Sequence, residues 1–452
     1  MSAYAQRLER LRAQLGERGP KGLGLSKTTS NLFRQRANGP RPRIDLTGFD
    51  QVVSLDPERG TVECEGMTSY ADLVDATLAG GVMPCVVPEL KSITLGGAAA
   101  GVGIESSSFR YGLVHETLNE IDVLLADGSL VTCTPENEHH ELFFGFPNSY
   151  GTLGYALRLV AKTLPVKRYV RLEHVRYSDA DRYFEALARA CEGDADFVDG
   201  TVFSGGEMVL SIGRFADEAP WTSDYGYEHI YYRSIREKSQ DFLTVRDYLW
   251  RWDTDWFWCS ENVFAQNPLV RRLLGRKRLN SVTYTKIMRW NSRIGLMGAL
   301  TRLSGCYPES VIQDVDIPVE RAGEFLEFLL GEIGILPVWI CPVRSWRQQA
   351  AFPLYPMDPR RLYVNFGFWG VVKHTVRRPA GFRNRAIEMK VAGLGGIKSL
   401  YSAAYYPQEE FWKIYNGSAY QSLKRRYDPD NAFRDLYQKC VLQYRGAAGA
   451  GE

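Results

Sequence analysis

The chain is poor in cysteine and histidine, and their positions exclude more than their numbers do. Its eight cysteines, Cys64, Cys85, Cys133, Cys191, Cys259, Cys306, Cys341 and Cys440, are scattered with no C-x-x-C pair. That excludes a disulfide framework or a zinc site and suits reduced thiols. Of six histidines only His139 and His140 adjoin, so no metal-ligand spacing arises. No run reaches the roughly 18 apolar residues of a membrane span. The nearest stretch, 324–343, carries Glu327, Glu332 and Pro337 and reads as a buried helix followed by a strand. Charge of one sign is lacking too. The net charge of +2 argues against a nucleic-acid partner. The pattern of the opening residues is not the one expected of a signal peptide. Tyr4, Leu8, Leu11 and Leu15 fall at helical spacing with Arg7, Arg10 and Arg12 between them, which predicts an amphipathic helix packed on the body. These absences predict a cytoplasmic protein without internal repeats.

What is present describes a globular protein. The chain has 452 residues, 45% of them hydrophobic and 24% charged, enough for two or three domains. The most informative stretch is Pro88–Gly112, PELKSITLGGAAAGVGIESSSFRYG. Gly96, Gly97, Gly101, Gly103 and Gly112 sit around Ser106, Ser107 and Ser108. Glycine lets backbone N–H groups converge on an anion without a Cβ in the way. The spacing is not the G-x-G-x-x-G of a dinucleotide-binding turn. Next, NEIDVLLADGSLVTCTP reads as strand, Asp127-Gly128 turn and strand. YGTLGYALRLVAKTLP then reads as a turn at Gly151 and Gly154 entering an alternating apolar strand. After Pro165 strand and helix alternate, around an aromatic and basic insert at 220–300. From Leu400 onward the sequence is helical and rich in tyrosine.

This order of motifs resembles the FAD-binding domain of the vanillyl-alcohol oxidase/p-cresol methylhydroxylase superfamily. The blocks GIESSS with Tyr111-Gly112, VLLADGSLVTCTP, YGTLG, VIQDVDIP (311–318), PVWICP (337–342), VKHT (372–375) and EEFWKIYNGSAYQSLKRRY (409–427) are similar to the Δ24-sterol reductase group within it; NPLVRRLLG (267–275) fits loosely. The resemblance implies an α+β fold. A two-subdomain FAD-binding domain would span residues 1–167, and a cap domain on an antiparallel sheet 168–399. A C-terminal segment, 400–452, would return to cover the flavin. It implies an FAD-dependent enzyme that reduces a carbon–carbon double bond in a lipid, with NADPH as the possible reductant. The opening GLGLSKTTSNLFR looks more like the bacterial branch, and no hydrophobic anchor like that of the sterol enzymes is expected. The expected substrate is therefore a methylene branch on a phospholipid-bound acyl chain, with a partner methyltransferase. The alternatives are a sterol double bond, or an alcohol or hydroxy acid oxidised by the same cofactor.

The resemblance also assigns site residues. Ser26, Thr28, Thr29, Ser30 and Asn31 form the first FAD loop; from spacing alone they are equally an N-cap or turn cluster. Pro88, Thr94, Leu95, Gly96, Gly97, Gly101, Gly103, Ile104, Ser106, Ser107, Tyr111 and Gly112 form the second. Gly151, Thr152 and Gly154 approach the flavin end. Neither loop carries the His or Cys by which many relatives attach the flavin, so noncovalent FAD is implied. Glu105 either faces the cofactor or ties down its own loop. Alkene reduction needs a hydride and a proton, and a histidine can supply the proton near neutral pH. His374 is the candidate donor, with a structural role as the duller reading. Asp314 either orients the donor or pairs with a buried arginine. Tyr405 and Tyr406 are alternative acids or packing rings, and His115 reads as structural. Finally, Trp250, Trp252, Trp256 and Trp258 precede Arg271, Arg272, Arg276, Lys277 and Arg278. Aromatic residues beside a basic cluster predict peripheral contact with the inner face of the cell membrane through 248–279.

Overall fold

A computed structural model describes residues 3–18, 24–27, 33–34, 43–294, 306–348 and 350–442. A short parallel pair, β1 (Gly24–Ser26) and β2 (Arg43–Asp45), precedes the two antiparallel sheets that organise them. The first is six-stranded and holds β3 (Val52–Asp56), β4 (Thr61–Glu65), β5 (Val82–Pro84), β6 (Leu118–Leu124), β7 (Leu130–Cys133) and β8 (Tyr155–Pro165). Its order is β3-β4-β8-β6-β7, with β5 also paired to β8. Asp127 and Gly128 form the predicted turn between β6 and β7. Leu125 N–H donates to the Ser129 carbonyl, and Gly128 has φ +86°.

The second sheet is eight-stranded. It holds β9 (Tyr169–Tyr177), β10 (Phe197–Ser204), β11 (Glu207–Ala216), β12 (Gln240–Thr244), β13 (Tyr307–Pro318), β14 (Val338–Val343), β15 (Tyr363–His374) and β16 (Ile397–Lys398). The order is β12-β9-β11-β10-β14-β15-β13-β16, every pairing antiparallel. Side chains alternate across a strand, so each strand serves two surfaces. Val311, Val315 and Ile317 of β13, Val338 and Ile340 of β14, and Val364, Phe366 and Phe368 of β15 point to one face. There they pack with Phe184, Leu187, Phe325 and Leu326 of two helices. The intervening residues Asp314, Asp316, Trp339, Asn365 and Trp369 face the opposite way, into a cleft.

The tail returns to the first sheet. Helices Gln408–Ile414 and Gly417–Tyr427 lead to Lys424, whose ammonium donates to the Thr152 and Phe433 carbonyls at 3.0 and 2.8 Å. Phe433 then meets the Tyr155 ring edge-on at 5.3 Å. The predicted N-terminal helix is present as Ala3–Arg18, with Leu11 and Leu15 buried.

The segment 248–279 departs from expectation. Trp250, Trp252, Trp256 and Trp258 are buried instead of lying on the surface. They join Phe257, which packs on Trp339 and Trp369 at centroid distances of 5.5 and 4.4 Å. Arg271 also turns inward, forking onto Asp255 at 2.8 and 3.2 Å. The tryptophans are core because the insert closes the second sheet, and a buried ring contributes more than an exposed one.

Candidate active site

Between the two sheets lies a cavity of about 450 Å³, within the range of cofactor and ligand sites. One side is built by the glycine loop and its neighbours. Thr94 caps the short helix Leu95–Ala100, its hydroxyl accepting from Gly97 N–H at 3.2 Å. The amide of Gly96 donates to the Gly66 carbonyl at 3.0 Å, and a Cβ at Gly96 would sit 2.7 Å from that oxygen. Only glycine permits this approach of two backbones. Gly154 has φ +144°, a conformation open essentially to glycine.

Of the residues assigned to the cofactor, Ser26, Pro88, Thr94, Gly96, Gly97, Gly101, Gly103, Ile104, Gly151 and Gly154 line the cleft. Thr28, Thr29, Ser30 and Asn31 lie outside the described residues. The others stand behind the wall. Leu95 is core. Ser106 Oγ bonds Tyr248 Oη at 2.9 Å, and Ser107 Oγ donates to the Cys85 carbonyl at 2.7 Å. Tyr111 packs edge-on to Trp346, Thr152 Oγ donates to the Ser149 carbonyl, and Gly112 leaves room for the Glu116 carboxylate. These residues hold the loop's shape.

Five cations line the cleft as well: Lys27, Arg34, Arg43, Arg434 and Lys439. Burial, with Arg34 nearby, pulls the Lys439 ammonium down to about 7. A bound anion reverses that shift, because an opposite charge favours the protonated form. Glu105 Oε2, Asp314 Oδ1 and Asn365 Oδ1, on residues lining the same cleft, are buried acceptors without a hydrogen-bond partner among the described residues. A molecule with a bisphosphate and several hydroxyls answers both demands. FAD is such a molecule, and the residues present fit it.

Glu105 is anchored by Arg251, whose guanidinium also holds Glu89 and Asp199, at 2.9, 2.6 and 2.8 Å respectively. Three carboxylates on one buried arginine leave excess negative charge. Burial accordingly holds Glu89 well above the usual carboxylate range, against the opposing pull of Arg251.

The cap side is aromatic and acidic. Trp256, Phe257, Trp339 and Trp369 line it around Asp314 and Asp316. Tyr355 Oη donates to Asp316 at 2.5 Å and Asn365 Nδ2 donates at 2.9 Å. Burial raises Asp316 to about 6. Asp314 lies beside Tyr401 and Trp369, and burial raises it to about 7. Trp369 Nε1–H donates to Tyr401 Oη at 2.8 Å. An indole only donates, so the phenol's own hydrogen is left to point elsewhere.

Two catalytic candidates stand apart from the cleft lining. His374 ends β15, its Nε2 3.0 Å from Glu309 Oε2. Glu309 also accepts from the Arg383 and Asn384 amides, so the pair closes the start of a helix. Tyr405 donates its N–H to Glu388, and its ring covers Gly381. Neither lines the cleft, whereas Asp314 and Glu105 do. His115 is buried against Phe352, and desolvation lowers it to about 3, so it is neutral. Tyr401, Asp316, Asn365, Arg251 and Lys439 were not anticipated. The available signal was the alternation in VIQDVDIP, which puts both aspartates on one face.

Comparison with known proteins agrees with this geometry. A family described as an FAD binding domain matches residues 28–134. The Δ24-sterol reductase of Mus musculus is 28% identical over 410 residues, covering 86% of this chain and 75% of that protein. The Arabidopsis thaliana Δ24-sterol reductase is 25% identical over 435 residues, covering 88% and 76%. Cytokinin dehydrogenase 7 of Oryza sativa is 31% identical over 146 residues, 31% of this chain and 28% of that protein. The chain is an FAD-dependent oxidoreductase that is similar over most of its length to the Δ24-sterol reductases.

Proposed function

We propose that the chain reduces an isolated carbon–carbon double bond in a sterol-like lipid, with NADPH as the electron donor. One observation carries the chemistry: Asp314, Tyr401 and Trp369 meet at the aromatic end of a cleft that cations also line. FAD, when bound and reduced by NADPH, would supply a hydride to one alkene carbon. Lys27, Arg34, Arg43 and Lys439 offer charge to its phosphates, and the orphaned oxygens of Glu105 and Asn365 accept its hydroxyls. Trp256, Phe257 and Trp339 exclude water and offer apolar surface to a rigid ring system. Tyr401 gives its proton to the second carbon, and Asp314, protonated near pH 7, returns one to the phenolate. Hydride and proton together convert the alkene to the alkane. Burial and the neighbouring Asp314 hold Tyr401 well above the ordinary phenol range, so it remains a neutral donor.

The names of the relatives that span most of the chain favour a sterol over a methylene-branched acyl chain with a partner methyltransferase. Purified protein, reduced without air by NADPH, distinguishes these readings. We expect acid-extractable FAD and reoxidation by a Δ24-unsaturated sterol with loss of its alkene. Reoxidation by a methylene-branched phospholipid alone would transfer the assignment to the acyl substrate. Reduction of the flavin by an alcohol, with no response to either alkene, would sink both.

A further inference from the structure

The three most exposed large apolar side chains among the described residues are Phe264 at 76%, Leu269 at 74% and Leu273 at 82%. All fall within ten residues of one another. Leu269 and Leu273 lie four apart on the helix Pro268–Leu274, hence on one face. Arg271 lies on the opposite face, where it forks onto Asp255 and its Nε donates to the Tyr227 carbonyl at 2.7 Å. This anchor fixes which way the helix faces, so the leucines are presented outward by a rigid support. Phe264 precedes them in a left-handed turn, with Asn267 N–H bonded to its carbonyl. Exposed cations follow: Arg272, Arg276, Lys277 and Arg278. Arg276 is held by Asp224 at 2.5 Å, which leaves the other three guanidinium and ammonium groups facing solvent.

We infer that this tip is a docking surface for an anionic lipid bilayer, with Phe264, Leu269 and Leu273 entering the acyl boundary and Arg272, Lys277 and Arg278 meeting the headgroups. Apolar side chains clustered in water mark a contact site, and a ring of one charge selects a partner of the other. The tryptophans expected to serve this purpose are core, so the contact falls to side chains further along the same segment. That segment also walls the cleft through Trp256 and Phe257. Docking therefore sets the bilayer beside the stretch of chain that encloses the site. The choice of a bilayer over an acidic protein rests on the lipid substrate proposed above.

Flotation of the full flavin-loaded chain with phosphatidylcholine vesicles, with and without phosphatidylglycerol, tests the inference. Binding is expected only with phosphatidylglycerol, weakening as salt rises. Replacing Phe264, Leu269 and Leu273 together by Ser should reduce it by more than about tenfold, with flavin content unchanged. Replacing Arg272, Lys277 and Arg278 by Gln should remove the preference for the anionic lipid. Equal binding by the serine variant would overturn the inference. So would concentration-dependent self-association in place of vesicle binding, which would assign the patch to a second copy. Vesicle binding without alkene reduction would leave docking standing while the proposed reaction fails. Reduction of detergent-dispersed substrate by a protein that ignores vesicles would do the reverse.

Discussion

At the residue scale the proton is the question. Burial raises the Asp314 carboxyl from an ordinary 3.8 to about 7, so it is protonated below that pH and charged above it. A relay loaded through Asp314 empties as pH rises past 7. Turnover should then fall by about tenfold per pH unit above that point. Asp314→Asn should turn over slowly with normal flavin content and without that pH dependence. Tyr401→Phe should be equally slow, because the phenol is the group nearer to donating. If either variant keeps wild-type turnover and pH profile, the relay is wrong. Stability supplies a readout independent of activity. A folded pKa raised above the unfolded value stabilises the fold at acid pH, and that contribution is lost as pH rises through about 7. The loss is on the order of 4 kcal/mol. The asparagine variant should therefore melt above wild type at pH 8 and alongside it at pH 4, when thermal unfolding is followed at both.

At the element scale, β13 and β15 decide where these groups stand. Asp314 pairs in register with Gly367, which also pairs with Trp339. A Cβ on Gly367 would come within 2.7 Å of Asp314 Oδ1 and 2.8 Å of the Trp369 ring. Glycine weakens a strand, and here it opens the space that the acid and the indole share. Gly367→Ala should displace one of them and lower turnover by more than tenfold, while overpacking costs about 1–3 kcal/mol. Wild-type kinetics from this variant would mean that the close packing is irrelevant to the reaction. Much of this element was legible in advance. VIQDVDIP alternates, and alternation on a buried strand puts Asp314 and Asp316 together. The glycine loop was legible as well, from Gly96, Gly101 and Gly103. Sequence alone does not separate the two readings of His374, because a histidine ending an aromatic strand has the same signature whether it meets a substrate or, as here, Glu309. Tyr401 left no signal in its spacing. It reaches the cleft from the returning tail, held by the pairing of Phe33 with Ser402 and by the bond from Phe33 N–H to the Tyr401 carbonyl. Contacts made across hundreds of residues leave no local period to read.

At the scale of the whole molecule, the buried Arg251 connects parts that could otherwise move separately. Glu89 and Glu105 come from the glycine-loop region, Asp199 from β10 of the second sheet, and Arg251 from the aromatic insert. Two tryptophans, Trp252 and Trp339, also direct their indole N–H groups at Asp199, each at 3.3 Å. Such a hub is weak evidence of net stability, because removing charges from water is costly. Its geometry is what matters: one planar fork reaches three carboxylates at once, and a lysine ammonium has no such fork. Removing the cation leaves the carboxylates buried without a counter-charge, at a cost of about 3–5 kcal/mol. Arg251→Met should therefore lower the melting temperature sharply, and Arg251→Lys should recover little of it. Because Glu105 lines the cleft, the methionine variant should also retain less FAD at equal protein concentration, measured by extractable flavin after gel filtration. A methionine variant that melts with wild type and keeps its flavin would show that the two sheets hold the cleft together without the arginine, through the aromatic insert and the returning tail alone.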